Sequence, residues 1–360
     1  MKNVKVLTAL GMMSLASTAT LAASAVPTLG SVLDASGIKV SGDVAASYTN
    51  GGPNGAFSFD QALLSIAYQP KDGFGAVVTL AAGDANQELT GAPAKTQVWV
   101  KTSATTGKWE DALTGGGTKD PYLSQAYVQY ATGGLTVIGG RFATLAGYEV
   151  FPKSGNAFVT HSLSYGIEPT NHTGVRASYS FNDMVSLSLG LNNGIYSQSV
   201  SDPNNSEVGD NAVEAGVTVT PVKGLSLAAA YYNDQQGHSK SDDQSLLNVV
   251  ASYSITNAVS VALSYDNKSN GNTDALKQSA IAAYANYALS DKYRLGLRLE
   301  ELNQKDKTVA DQQAATLVFG YSPVKSFELR TELTDVKTKS TSTSKSETDY
   351  AGAVQGVFKF

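Results

Sequence analysis

The sequence predicts an all-β fold: a transmembrane antiparallel β-barrel of about 16 strands, with short periplasmic turns on one rim and long extracellular loops on the other. Three observations carry that expectation. Segments of roughly ten residues alternate apolar with small or polar side chains, the period of a strand whose two faces meet different surroundings. The connections between them sort into a short class and a long class. The chain also ends inside an alternating segment, "AVQGVFKF", whose last residue is Phe360.

The N-terminal stretch, "MKNVKVLTALGMMSLASTATLAASA", sets Lys2 and Lys5 ahead of an apolar run and small residues in an Ala-x-Ala arrangement at Ala23 and Ala25. That is the pattern of a secretory signal peptide over residues 1–25, with cleavage expected after Ala25 and Ala22 as the alternative. Residues 26–37 then form a short periplasmic segment, too short for a plug domain, and residues 38–360 the barrel. With no cysteine in the chain, packing and hydrogen bonding must hold an exported fold without disulfides. Only 16% of residues are charged and the formal net charge is −5, which leaves no basic footprint for nucleic acid. No apolar run long enough for a membrane helix follows the signal.

In chain order the alternation places strands at 38–49, 57–69, 74–82, 123–131, 135–143, 172–181, 184–193, 212–221, 225–234, 244–255, 258–267, 276–289, 292–302, 312–322, 326–336 and 348–360. In one, Val259, Val261, Leu263 and Tyr265 oppose Ser260, Ala262, Ser264 and Asp266. In another, Tyr293, Leu295, Leu297 and Leu299 oppose Arg294, Gly296, Arg298 and Glu300; in a third, Phe327, Leu329 and Leu333 oppose Glu328, Arg330 and Glu332. Short turns fall at "PKDG" (70–73), "TGG" (132–134), "FND" (181–183), "PVKG" (221–224), "TNA" (256–258), "SDK" (290–292) and "PVK" (323–325). Long connections fall at 83–122, 144–171, 194–211 and 337–347. A soluble sandwich would alternate as well, but its turns would not sort by rim. An even strand number puts both termini on the short-turn rim.

Rings at strand ends mark the two interfaces of an apolar band. Tyr68, Phe74, Tyr130, Tyr179, Tyr253, Tyr287, Tyr293, Tyr321 and Phe327 are assigned to the short-turn girdle, and Tyr48, Tyr231, Tyr265 and Tyr350 to the long-loop girdle. In the last strand Tyr350, Val354, Phe358 and Phe360 share one face with Gly352 and Gly356. An alternating last strand closing in Phe resembles the insertion signal of Gram-negative outer-membrane proteins, which implies the barrel assembly machinery and outer-membrane lipid as partners.

The five arginines, Arg141, Arg176, Arg294, Arg298 and Arg330, all lie within strands at positions the alternation directs into the lumen. A charge facing lipid costs about 2–4 kcal/mol at mid-bilayer, which explains their absence from the other face. Two readings of them stand: ladders paired with lumen carboxylates such as Glu214, Glu300, Glu328 and Glu332, or a basic wall selecting anions. The connection 144–171 is too rich in apolar and aromatic residues to lie freely in water, so it is expected to fold inward as a constriction loop, with Glu149, Lys153, His161 and Glu168 as its candidate polar residues.

Catalysis finds little support. The three histidines, His161, His172 and His238, are scattered and offer neither a nucleophile–base pair nor zinc spacing. The loop 201–211 carries Asp202, Glu207 and Asp210 without EF-hand spacing. We therefore expect no enzyme, metal or cofactor.

Three stretches, "GRFATLAGYE" (140–149), "HTGVR" (172–176) and "LNNG" (191–194), resemble the putative beta-barrel porin-2, OmpL-like family. The resemblance covers residues 29–194, the later strands agree by pattern, and the insertion-sized connection 83–122 departs from the family. It implies an outer-membrane porin-like barrel with no established substrate. A sixteen-stranded barrel without a plug leaves an aqueous channel, so a passive pore for small hydrophilic solutes or ions is expected, with a homo-oligomer as a further expectation. The alternative is a surface adhesin or scaffold whose loops bind a partner.

Overall fold

The computed structural model describes residues 33, 35–50, 55–83, 96–101, 107–112, 121–196, 211–234, 244–270, 277–305, 310–339 and 346–360. The expected signal peptide, most of the segment 26–37, His238 and the acidic residues Asp202, Glu207 and Asp210 lie outside the described residues.

The strands are β1 (Lys39–Asn50), β2 (Ala56–Tyr68), β3 (Gly73–Ala82), β4 (Thr96–Lys101), β5 (Gly107–Ala112), β6 (Tyr122–Thr132), β7 (Leu135–Ala143), β8 (Asn171–Ser180), β9 (Val185–Asn192), β10 (Ala212–Val219), β11 (Leu225–Asp234), β12 (Gln244–Ser254), β13 (Val259–Asn270), β14 (Gln278–Ala288), β15 (Tyr293–Gln304), β16 (Asp311–Val324), β17 (Phe327–Lys339) and β18 (Ser346–Lys359). Sixteen of them close a barrel in the order β1-β18-β17-β16-β15-β14-β13-β12-β11-β10-β9-β8-β7-β6-β3-β2. These are the sixteen expected from the alternation. The pair β4-β5 forms a separate two-stranded sheet within the connection 83–122, where the alternation predicts only a long loop.

The barrel closes by pairing β1 with β18, from Asp43↔Lys359 to Asn50↔Gly352. Closure removes both edges, so the ladder bonds of the spanning backbone are met inside the protein. The terminal residue takes part: Gly42 N–H donates to the Phe360 carbonyl at 2.9 Å and Phe360 N–H to the Gly42 carbonyl at 3.1 Å. A methyl group at Gly42 would run into the Leu63 carbonyl of β2 and stand 2.6 Å from the Phe360 ring, so the glycine makes room both for the neighbouring strand and for the ring across the seam. Gly42→Val and deletion of Phe360 should therefore both weaken closure. We expect each to lower the fraction of heat-modifiable folded barrel on gel electrophoresis, and an unchanged fraction for both would show that the seam does not depend on this contact.

Partners across the ladder share a face, and exposure shows which face is which. Leu317 is 58% exposed and its neighbour Thr316 is 0% exposed. Leu189, Leu191, Leu263, Leu299 and Leu333 are exposed in the same way, while Ser264, Arg298 and Glu332 on the opposite face are buried. An apolar outer band this continuous is the mark of a lipid-facing surface. Its rims carry the expected rings: Tyr293 stacks on Tyr321 at 5.0 Å, Phe74 meets Tyr130 at 5.0 Å, and Tyr48 meets Phe57 at 4.9 Å. Tyr350, Val354, Phe358 and Phe360 are all exposed on that outer face.

Candidate functional site

The lumen face should meet water if the barrel were empty, yet much of it is buried. The cause is the segment 144–170 between β7 and β8. Its ends are clamped by Thr144 N–H donating to the Thr170 carbonyl at 3.1 Å, and the chain between them folds into the barrel.

The path of this segment is set by polar side chains on the wall that meet its otherwise unpaired backbone. The Tyr232 hydroxyl accepts from Leu145 N–H at 2.8 Å, and Asn248 Oδ1 accepts from Gly147 N–H at 3.0 Å. Gly147 adopts φ 98° at that bend, in the left-handed region that favours glycine. The segment then crosses to the seam, where Gln61 accepts from Lys153 N–H at 2.8 Å and Ser154 donates to Asp43. Asn156 staples the turn by accepting from Val150 N–H and donating back to the Val150 carbonyl. Apolar side chains fill the gaps. Phe151 packs on Leu63 and Ala81, and Phe158 on Ala262, Ala282, Tyr284 and Val318.

Four of the five arginines make ion pairs with carboxylates or cap the carbonyls of this segment. Arg298, 1% exposed, binds Glu300 through Nε at 2.7 Å and Glu149 through Nη1 at 3.0 Å, and donates to the Thr160 carbonyl at 2.7 Å. Arg294 pairs with Glu328 at 2.6 Å and donates to the Ala157 carbonyl at 2.6 Å. Arg330 donates to the carbonyls of Asn156 and Lys153 at 2.5 and 2.8 Å, and through Nε to Gln355 at 2.8 Å. Arg176 is bidentate to Glu214 at 2.5 and 2.9 Å, and its guanidinium lies 4.4 Å from the centre of the Phe142 ring. Arg141 is held within the wall, donating to the Ser124 carbonyl at 3.2 Å with its guanidinium 4.9 Å from the Tyr122 ring centre.

The carboxylates complete the arrangement from the other side. Glu332 accepts from Val159 N–H at 2.7 Å and from the Thr160 hydroxyl at 2.5 Å. Glu300 accepts from Leu163 N–H at 2.6 Å, and Glu149 from Ser162 N–H at 2.7 Å. The ladder expected from "ELRTE" is thus redistributed: Glu332 serves the inward segment and Glu328 serves Arg294. These arginines meet carboxylates and carbonyls, because a buried guanidinium is stable only when paired or hydrogen-bonded.

The four polar residues expected in the constriction loop all lie inside the barrel. Glu149, Lys153 and Glu168 are buried; His161 is half-buried, 3.0 Å from the Asn156 amide, with its ring against Tyr165. Burial, and then the charge of Asp266 opposite, hold the Glu168 carboxyl well above the usual carboxylate range. Asp266 is fixed in turn by Asn248 Nδ2 at 2.7 Å. Sequence reasoning passed over Asn248, Gln61 and Tyr232, which anchor the segment. Their only signal was a large polar side chain on the lumen face of a strand. Among the described residues no three His, Cys, Asp or Glu side chains gather as a metal site.

The model of the family described as putative beta-barrel porin-2, OmpL-like, matches residues 38–360, so the match runs through the later strands to the C-terminus. No curated protein matches the chain. Among solved structures, Pseudomonas putida OprB at high pH is similar with TM-score 0.63 and 13% identity, over 91% of this chain and 96% of that one. Vibrio cholerae OmpT, an outer membrane protein folded in vitro in a trimer form, gives TM-score 0.57 at 12% identity, over 90% and 99% of the two chains. A Rh. blastica porin mutant gives 0.53 at 16%, over 90% and 100%. At these identities the likeness is one of fold.

Proposed function

Because the chain belongs to the putative beta-barrel porin-2, OmpL-like family, we propose that it forms a passive, water-filled pore for small hydrophilic solutes, narrowed by the segment 144–170. It is an outer-membrane β-barrel of a Gram-negative bacterium and a member of a porin family, which agrees with a chain that is not an enzyme. The observation that carries the pore reading is the stretch of wall the inward segment leaves uncovered. The segment's contacts lie on β1–β3 and β10–β17, and toward the short-turn rim the wall from β8 to β12 keeps half-exposed polar side chains. A closed sixteen-stranded wall is wide enough for an aqueous path beside such a segment.

The same reading places the outer apolar band against outer-membrane lipid and gives the last strand, through Tyr350, Val354, Phe358 and Phe360, to the barrel assembly machinery. The trimer form of OmpT supports a homo-oligomer. Pore-lining roles for Arg141, Arg176, Arg294, Arg298, Arg330, Glu300, Glu328 and Glu332 belong to the same reading: Arg294, Arg298, Arg330, Glu300 and Glu332 shape the aqueous path by holding the segment, Glu328 pairs with Arg294, and Arg141 and Arg176 line the wall beside its ends. Purified barrel in liposomes should release entrapped glycerol far faster than empty liposomes. Release no faster than the control from a folded barrel would sink the pore and leave the surface-binding scaffold.

A further inference from the structure

The wall has one joint that the chain does not make locally. Consecutive barrel strands are joined by their own connection, whereas β1 and β18 meet from the two ends of the barrel, and the lumen-side bond from Gln355 to Asp60 across that joint links residues 295 apart. Closing so long a loop costs chain entropy that a hairpin does not. Beside the joint the β1–β2 ladder is itself broken, its register passing from Ala45↔Gln61 to Ser47↔Ser58. The extra residue on β2 makes a bulge, which re-aims side chains. The consecutive residues Asp60 and Gln61 both turn into the lumen there. Asp60 accepts from Ser47 of β1 at 2.8 Å and from Gln355 of β18 at 2.6 Å, and Gln61 accepts from Lys153 N–H at 2.8 Å.

The tip of the inward segment lies across this joint. On the β2 side Phe151 packs on Leu63, and Lys153 N–H reaches Gln61. In the middle the Ser154 hydroxyl donates to Asp43 of β1. On the far side the carbonyls of Lys153 and Asn156 accept from Arg330 of β17 at 2.8 and 2.5 Å. Arg330 donates through Nε to Gln355 at 2.8 Å, and Gln355 donates on to Asp60. The bonds therefore run in a closed ring from the segment through β17, β18 and β2 back to the segment. Asp43, Arg330 and Gln355 are each 1% exposed and Gln61 0%, so the ring is sheltered from water.

We propose that residues 151–156 are a latch on the barrel seam: the tip that enters the lumen also holds β17 and β18 to β1 and β2 from within. The inference is independent of what the lumen passes. The docking site of the tip is complete only when the seam is closed, since Gln61 and Asp43 stand on one side of it and Arg330 on the other. Closure creates the site, and docking stabilises closure by the same amount, as linkage requires. The ladder from Asp43↔Lys359 to Asn50↔Gly352 pairs the two strands by itself, so the latch sets how often the seam opens rather than whether it forms.

The test is amide hydrogen exchange of the whole folded chain in detergent, read by mass spectrometry on fragments from β1, β18, β12 and β13. A variant carrying Gln61→Leu and Ser154→Ala removes two latch contacts and leaves every residue of the β1–β18 ladder in place. Its β1 and β18 amides should exchange about tenfold faster, the equivalent of two net hydrogen bonds lost from the closed state, while those of β12 and β13 keep their rates. If the double variant yields no heat-modifiable barrel, Ser154→Ala alone, which removes a single hydroxyl, should still show a severalfold rise confined to the same two strands. Seam exchange equal to that of the unaltered protein in a folded variant, or a rise shared evenly by β12 and β13, would overturn the latch.

Discussion

Replacing Arg298 with alanine is expected to release the inward segment and raise conductance several-fold, because this one guanidinium holds both carboxylates and carbonyls. It is 1% exposed and bonded to Glu300, Glu149 and the Thr160 carbonyl. Removing it leaves two buried carboxylates without their cation, an arrangement that costs about 3–5 kcal/mol. The barrel can avoid that cost. Its ladder bonds do not involve the Arg298 side chain, so the inexpensive response is for the segment to undock and let Glu149 and Glu300 reach water. Single-channel recording should show larger steps and more frequent transitions, and a protease too large to enter the wild-type lumen should cut between residues 150 and 166. Unchanged conductance in a folded Arg298→Ala barrel would mean that the remaining anchors, Tyr232, Asn248, Gln61 and Glu332, hold the segment without it. Arg298→Lys should fall between the two, since a single ammonium cannot reproduce the fork that serves three acceptors at once.

The wall of this barrel was far more legible in the sequence than its contents. Period-two alternation is imposed by lipid on one side and water or protein on the other, so "KYRLGLRLEE" and "SFELRTELTD" announce their faces without knowledge of the neighbouring strand. Turns of three or four residues fix the register of each hairpin, which is why all sixteen barrel strands could be placed. The pair β4-β5 escaped because "TQVWVK" and "GKWEDA" are six residues each, too short for a period to stand out. The anchors of segment 144–170 escaped for a different reason. Arg330 donates to carbonyls 174 and 177 residues away, and a backbone carbonyl has no letter in the sequence. What could be read was that a loop rich in Phe, Tyr and Leu must hide somewhere, and that arginines inside a barrel must be paired with something. Which carboxylate served which arginine depended on how far the segment descends on each side, and proximity along "ELRTE" misleads there.

Alkaline conditions are expected to loosen the same segment through Glu168, and the sign follows from proton counting. Glu168 sits on the inward segment, buried against Asp266 of β13, with Glu149 of the segment as a further negative neighbour. Burial and the two like charges hold its carboxyl well above the usual carboxylate range, so the docked segment binds more protons than the undocked one. The docking free energy is therefore complete below the ordinary glutamate pKa of about 4.3. It declines as pH rises from there toward the raised value, after which nothing further is lost. Asn248 accepts from Gly147 N–H near one end of the segment and donates to Asp266, and Gly147 lies against the Glu168 carboxyl near the other end, so repulsion between Glu168 and Asp266 acts where the two ends of the inward segment meet the wall. Conductance and its fluctuations should rise with pH from mildly acid toward alkaline solution. Glu168→Gln, which keeps the shape and removes the charge, should flatten that profile while retaining the low-pH conductance of the unaltered protein. A pH-independent wild-type barrel, or a Glu168→Gln barrel with the wild-type slope, would remove this carboxyl pair from any part in holding the segment.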